Sequence, residues 1–362
     1  MGVEIRLSDR ELPVSPVFID FLAHWLDGRP FDDGEWADQT SEALNFGLPE
    51  LQRRAEAAAP AVMNDERGRV HVGRAYGLLL ALLVGDFKPI EELQRRFHFI
   101  NVIGIPRTGG SYLTAELYRA LGIAPRSVPF AVAHDGFPEA GPFEMTPASN
   151  SWVRSLHTMA EYLSMVELFF GARTPQQGRI VVPKKLTKGI YAGGFFHRIL
   201  GEAVEHIVTL RHPVAACVST YEKSGGLPGD GRFAIRSNIE DWCRRDLLYT
   251  GCTADELARM DYFDAYLRYW EQYHYYVATT GLSANRALRV VAYGKERLQT
   301  QAQSFHQRFG SALAPGEFKV SDAARQRHPD WIRQADPVLQ RVAALWERVG
   351  ISFPLREMAE CW

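Results

Sequence analysis

The chain has 362 residues, 46% of them hydrophobic and 23% charged, enough for one large α/β domain with additions or two modest domains. Its 41 basic and 43 acidic residues balance, so bulk charge gives no reason to bind nucleic acid or an anionic membrane, and any anion specificity must be local. The four cysteines, Cys217, Cys243, Cys252 and Cys361, form no CxxC pair and no zinc spacing. The N-terminus lacks the apolar core of a signal peptide, Arg6 stands where a myristoylation signal needs Ser or Thr, and the longest apolar run is too short to span a membrane. These features lead to the expectation of a cytoplasmic protein with thiols rather than disulfides and no membrane span.

Residues 1–96 read as a helical N-terminal extension packed on the core. Ser15-Pro16 is an N-cap and N1 pair, and Phe18, Phe21, Leu22, Trp25 and Leu26 follow at helical spacing. A second apolar helix covers about Val72 to Val84, and Glu91 to Arg96 is a charged lead-in. From Phe97 the pattern changes to strands alternating with helices. Asn101 to Ile105 reads as a strand, and Leu113, Leu117 and Leu121 mark one face of a helix stopped by Gly122. Arg179 to Pro183, His206 to Leu210 and Ala287 to Tyr293 read as further strands, the last followed by a helix to about Phe309. Residues 97–362 are therefore expected to form an α/β domain with a central, mainly parallel sheet between helical layers. Two regions interrupt it: Pro125 to Asn150, and Ser224 to Arg232 with a helical insertion over 233–280. Both lie where a substrate-covering loop is expected, beyond the carboxyl ends of parallel strands.

Two segments carry the chemistry. Phe97 to Gly122 reads as a buried strand, a glycine turn and the opening of a helix, which presents backbone N–H groups to a phosphate. Aligned on Gly104 the turn has P-loop spacing, but Gly110 stands where a nucleotide triphosphatase carries its lysine, and the nearby cation is Arg107. The second segment is His206 to Tyr221. Arg211 ends a strand, Pro213 can open a helix, and Ser219 follows two turns along it, an arrangement able to grip a second phosphate.

Here the chain resembles the sulfotransferases that use 3′-phosphoadenosine 5′-phosphosulfate (PAPS). Their PxxGTT motif is similar to Pro106, Arg107, Thr108, Gly109, Gly110, Ser111 and Tyr112, and the resemblance implies that this stretch holds the 5′-phosphosulfate. Their RDPxxxxxS motif is similar to Arg211, His212 and Pro213 with Ser219, which implies a 3′-phosphate site. Val291 to Leu298 is similar to the family's YEDL segment, and Arg308-Phe309-Gly310 to its FLG-like end. The resemblance covers about residues 65–310 and points to the bacterial branch of the family. It implies a P-loop-type fold, PAPS as cofactor with 3′,5′-ADP as product, no metal, and a small-molecule, lipid or sugar acceptor carrying a hydroxyl or amine. The sequence departs from the pattern at Gly110, which lacks a hydroxyl, at Arg107 in place of lysine, and at His212 in place of an acidic or amide residue.

The family also implies a proton acceptor, a strand histidine near a KxxxH-like segment or an acid soon after the first helix. The matching segment here, Val182 to Gly189, keeps lysine at Lys184 and Lys185 but has glycine near the histidine position. Lys185 is retained as a candidate cation, and the base is sought in the Pro125–Asn150 region at His134, Asp135 and Glu139, which also contains Glu144. Two other readings stand beside this one: a P-loop kinase with a degenerate loop, and a nucleotide-binding protein without turnover. His157, His197, His206 and His274 read as structural, and Tyr262, Tyr266, Tyr269, Trp270, Tyr273 and Tyr276 as core packing of the insertion.

Overall fold

A computed structural model describes residues 14–46, 49–134, 137–138, 151–223, 239–282, 287–320 and 328–360. The N-terminal part is helical: α1 (Pro16–Leu26), α2 (Gly34–Phe46), α3 (Pro49–Asn64), α4 (Glu66–Val84) and α5 (Lys88–Arg96). Ser15 caps α1, its Oγ accepting from Phe18 N–H at 3.3 Å, while its own N–H donates to Glu161 at 2.8 Å. Asp65 caps α4, and Gly85 ends it in the left-handed conformation at φ 74°. The charged lead-in is thus a helix, α5, anchored by Ile90 and Leu93.

Then come β1 (Phe97–Ile103), α6 (Gly110–Ala120), the short α7 (Phe130–Ala133), α8 (Ser151–Phe170), β2 (Ile180–Lys185), α9 (Gly193–Leu200), β3 (Glu205–Leu210) and α10 (Pro213–Lys223). The remainder holds α11 (Ile239–Tyr249), α12 (Ala254–Arg259), α13 (Tyr262–Thr279), β4 (Leu288–Ala292), α14 (Lys295–Arg308), α15 (Pro329–Arg348) and α16 (Leu355–Glu360). The four described strands are all parallel, in the order β2-β1-β3-β4. β1 starts at Phe97, earlier than its pattern suggests, because Phe97 and Phe99 are buried under the N-terminal helices.

Successive residues of a strand face opposite sides of a sheet. One side carries Ile100, Val102, Val181, Ile207 and Val291 and packs on Leu113 and Leu117 of α6 and Leu298 and Phe305 of α14. The other side is shared by two clusters. Phe97, Phe99, Ile180 and Val182 pack with the N-terminal helices, α8 and α9. Ile103, Val208 and Leu210 pack with α10, α13 and α15. A buried polar row of Lys184, Asn101 and His206, adjacent in strand register, runs across this side. Most of the aromatic series of α13 is core: Tyr262, Tyr266, Tyr269, Trp270 and Tyr273 are buried, whereas Tyr276 is half-buried and Tyr275 is 46% exposed.

The strand order creates a topological switch point. The chain leaves β1 toward β2 on one side and returns to β3 on the other, with α6 and α10 on opposite faces. The crevice between the carboxyl ends of β1 and β3 is where open α/β sheets bind ligands.

Candidate functional site

The turn after β1 is built around two glycines with different constraints. A Cβ at Gly104 would stand 2.1 Å from Thr209 Oγ1 and 2.8 Å from the Thr209 carbonyl oxygen, so β3 leaves no room for a side chain there. Gly109 caps α6 at φ 94°, and a Cβ there would press on Leu298. Between them Arg107 is left-handed at φ 71°, a conformation that disfavours residues other than glycine. The hydroxyl of Thr108 is turned inward, donating to the Ile105 carbonyl at 2.8 Å and lying 2.7 Å from Thr209 Oγ1. It braces the turn against β3.

Helix α6 opens at Gly110 with its N-terminal N–H groups unmatched within the helix, a place that attracts anions. A Cβ at Gly110 would have its nearest neighbours, Lys185 Cε, Thr209 Oγ1 and Val102 Cγ1, all at 3.6 Å. Lys185, at the end of β2, therefore brings its side chain to the helix opening where the P-loop lysine is missing. Ser111 is exposed on the first turn, and Tyr112 donates its hydroxyl to the Gly316 carbonyl at 2.8 Å while its ring meets Phe318. Burial, then the Glu116 carboxylate, push the Tyr112 phenol up to about 12.

The second segment meets the first directly. Arg107 Nε donates to Ser219 Oγ at 3.1 Å, and Arg211 Nη1 donates to the Arg107 carbonyl at 3.2 Å. The guanidinium of Arg211 lies 3.8 Å from the centre of the Tyr293 ring, and Trp270 Nε1 donates to the Arg211 carbonyl at 3.1 Å. Arg211 and Ser219 are each only 1% exposed. The two phosphate-type segments are thus separated by the length of the Arg107 side chain, and Arg107 covers Ser219. His212 turns back on its own helix, accepting from Val214 N–H at 3.3 Å through Nδ1.

The neighbouring lysines of β2 have different environments. Lys184, buried on the other side of the sheet from Lys185, donates to the carbonyls of Ala131, Val132 and His134 at 3.2, 3.2 and 2.9 Å and sits 4.5 Å from the Tyr162 ring centre. It closes the carboxyl end of α7, where lone carbonyls favour a cation. The sequence gives no sign of this use. His134 is held by that contact and stacks on Phe130 at 4.6 Å, so its backbone belongs to the side of the sheet opposite α6. Asp135, Glu139 and Glu144 lie outside the described residues.

The structure thus brings together Arg107, Thr108, Gly109, Gly110, Lys185, Arg211 and Ser219 at one crevice. It adds Thr209, Trp270 and Tyr293, none of which the motifs single out, although Tyr293 falls inside the segment similar to YEDL. Three cations, one hydroxyl and the opening of α6 form a donor set suited to a ligand with two separate anionic groups. A side-chain carbon at Gly110 would make ordinary van der Waals contacts, whereas Gly104 leaves no space for one. Comparison with protein-family models, with curated proteins and with solved structures gave no match.

Proposed function

We propose that this crevice binds PAPS and that the protein moves its sulfonate to a hydroxyl or amine of a small metabolite, lipid or sugar. The observation that carries the reading is the Arg107–Ser219 contact, which joins the glycine turn after β1 to a hydroxyl after β3 at the switch point. Lys185 supports it by bringing a cation to the helix opening from the next strand. When bound, the cofactor supplies an activated sulfonate and a nucleotide leaving group.

The N–H groups opening α6, with Lys185, would hold the 5′-side anion and would offset negative charge on its leaving oxygen. Arg211 and Ser219 hold the 3′-phosphate. Arg107, whose Nε donates to Ser219 Oγ, would be close enough to add a charge-assisted hydrogen bond to a phosphate held there. A magnesium-bound triphosphate would instead call for lysine at position 110 and carboxylates for the metal. The proton of the acceptor passes to a residue of the segment containing His134, Asp135 and Glu139.

Titration calorimetry with 3′,5′-ADP and with ATP tests the nucleotide. We expect 3′,5′-ADP to bind the more tightly and without Mg²⁺, and Lys185→Met and Arg107→Met each to weaken it by roughly 10- to 100-fold. Tighter binding of ATP, or a requirement for Mg²⁺, overturns the reading. Turnover is tested with PAPS and a library of hydroxyl compounds, the expected result being acceptor-dependent release of 3′,5′-ADP. Binding without any such release would favour a nucleotide-binding protein that lacks turnover.

A further inference from the structure

One side of α4 carries Val70, Gly73, Gly77, Leu80 and Val84. Their spacing alternates between three and four residues, the repeat that keeps one helix side against a second helix. Val70, Leu80 and Val84 are 60%, 58% and 75% exposed. The opposite side is buried through Val72, Ala75, Leu78, Leu79 and Leu82. A Cβ at Gly73 or Gly77 would meet nothing within 4 Å, so no contact within the described chain calls for glycine at either position. Apart from proline, glycine is the poorest residue for a helix interior. Two of them on an exposed apolar row are accounted for by close approach of another helix.

We propose that α4 pairs with α4 of a second copy of this chain, antiparallel about a two-fold axis at Gly77. In that arrangement Gly77 meets its own counterpart, Leu80 of one copy lies over Gly73 of the other, and Val70 meets Val84. Each large side chain then fills the space left by a glycine. Charge selects the same partner and direction. Exposed Glu66 and Arg69 lie at the start of α4, and exposed Asp86 and Lys88 follow its end. Antiparallel pairing sets Glu66 against Lys88 and Arg69 against Asp86, whereas parallel pairing sets like charges together. The row is also self-sufficient as a two-fold contact, because the same patch serves both copies. This inference is independent of the nucleotide site.

Sedimentation velocity of the full chain, from about 1 to 100 µM, tests it; a contact dominated by one helix pair is at the small end of specific interfaces and is expected to have a dissociation constant on the order of micromolar. Leu80→Glu should weaken the dimer by roughly 30-fold or more, as loss of a central apolar anchor does. Lys88→Glu should weaken it several-fold, and the double variant Glu66→Lys with Lys88→Glu should restore it. All three positions are exposed, and unchanged circular dichroism and thermal midpoint would show that folding is kept. A chain that stays monomeric throughout, or a dimer indifferent to Leu80→Glu, overturns the proposal. So does a Lys88→Glu defect that the double variant leaves unrepaired. A monomer whose thermal midpoint falls with Leu80→Glu would show α4 covered by its own chain. Flotation with anionic vesicles that Leu80→Glu abolishes would show a lipid surface; either result likewise overturns it.

Discussion

Gly104 and Gly110 bracket one turn and make opposite demands on it. A Cβ at Gly104 would stand 2.1 Å from Thr209 Oγ1, whereas one at Gly110 would have no neighbour nearer than 3.6 Å. We therefore expect Gly104→Ala to destabilise the protein by more than about 2 kcal/mol, through overpacking against backbone as well as side chain. Gly110→Ala should stay within about 1 kcal/mol of the parent, a difference visible in urea midpoints. Gly110→Ser should keep the fold and tighten 3′,5′-ADP, since it returns a hydroxyl to the helix opening. Both residues are recognisable in the sequence as turn glycines, but the steric need for one of them is set by Thr209 on a different strand. The same limit applies to Lys184 and Lys185. Alternation along β2 puts them on opposite sides of the sheet, yet only the placement of α7 shows that Lys184 caps a helix while Lys185 reaches the crevice.

At the level of elements, β1, β3 and α14 are tied together at the amino end of the sheet by one carboxylate. Glu205 of β3 is 2.7 Å from His98 Nε2 of β1 and 2.8 Å from Arg308 Nη1 of α14. Burial alone would raise its pKa, but the hydrogen bonds from His98 and Arg308 outweigh that and bring the carboxyl down to about 2. A carboxylate depressed in the folded state adds stability above its unfolded value, near 4.5, and loses it as pH falls toward 2. Glu205→Gln should therefore cost up to about 3 kcal/mol at pH 7, and the gap to the parent should narrow between pH 4.5 and 2 in urea unfolding. The elements themselves were largely legible. β-branched runs mark all four strands, and helical periodicity marks α1, α4 and α6. The four-residue α7 was not, because a stretch as short as Phe130–Ala133 is too brief to express a period.

For the whole molecule, the decisive feature is the return of the chain from β2 across β1 to β3, which places two phosphate-type segments at one crevice. Motif order suggested their cooperation, but their contact depends on strand order, which local patterns do not encode. The side of the sheet away from α6 holds two neutral buried histidines. Burial, with a smaller contribution from His197, takes His206 down to about 3, and burial takes His274 down to about 3. Such a group leaves stability intact above its unfolded pKa of 6.5 and lowers it as pH falls from there toward 3, because only the unfolded chain takes up the proton. On going from pH 7 to pH 5, the stability difference between the parent and His274→Gln should shift by ~2 kcal/mol against the parent. Urea unfolding at the two pH values reads that shift, and an unchanged difference would mean that His274 takes up its proton in the fold as readily as in the unfolded chain.

Arg107 holds its guanidinium on Ser219 from a left-handed backbone at φ 71°. Conformational comfort and the proposed nucleotide contact therefore favour different residues at this position. Glycine would adopt the same backbone at little cost while giving up the contact. A laboratory selection that rewards only heat tolerance should accept Arg107→Gly, whereas one that rewards retention on a nucleotide resin should keep arginine. The two regimes would drive one codon in opposite directions.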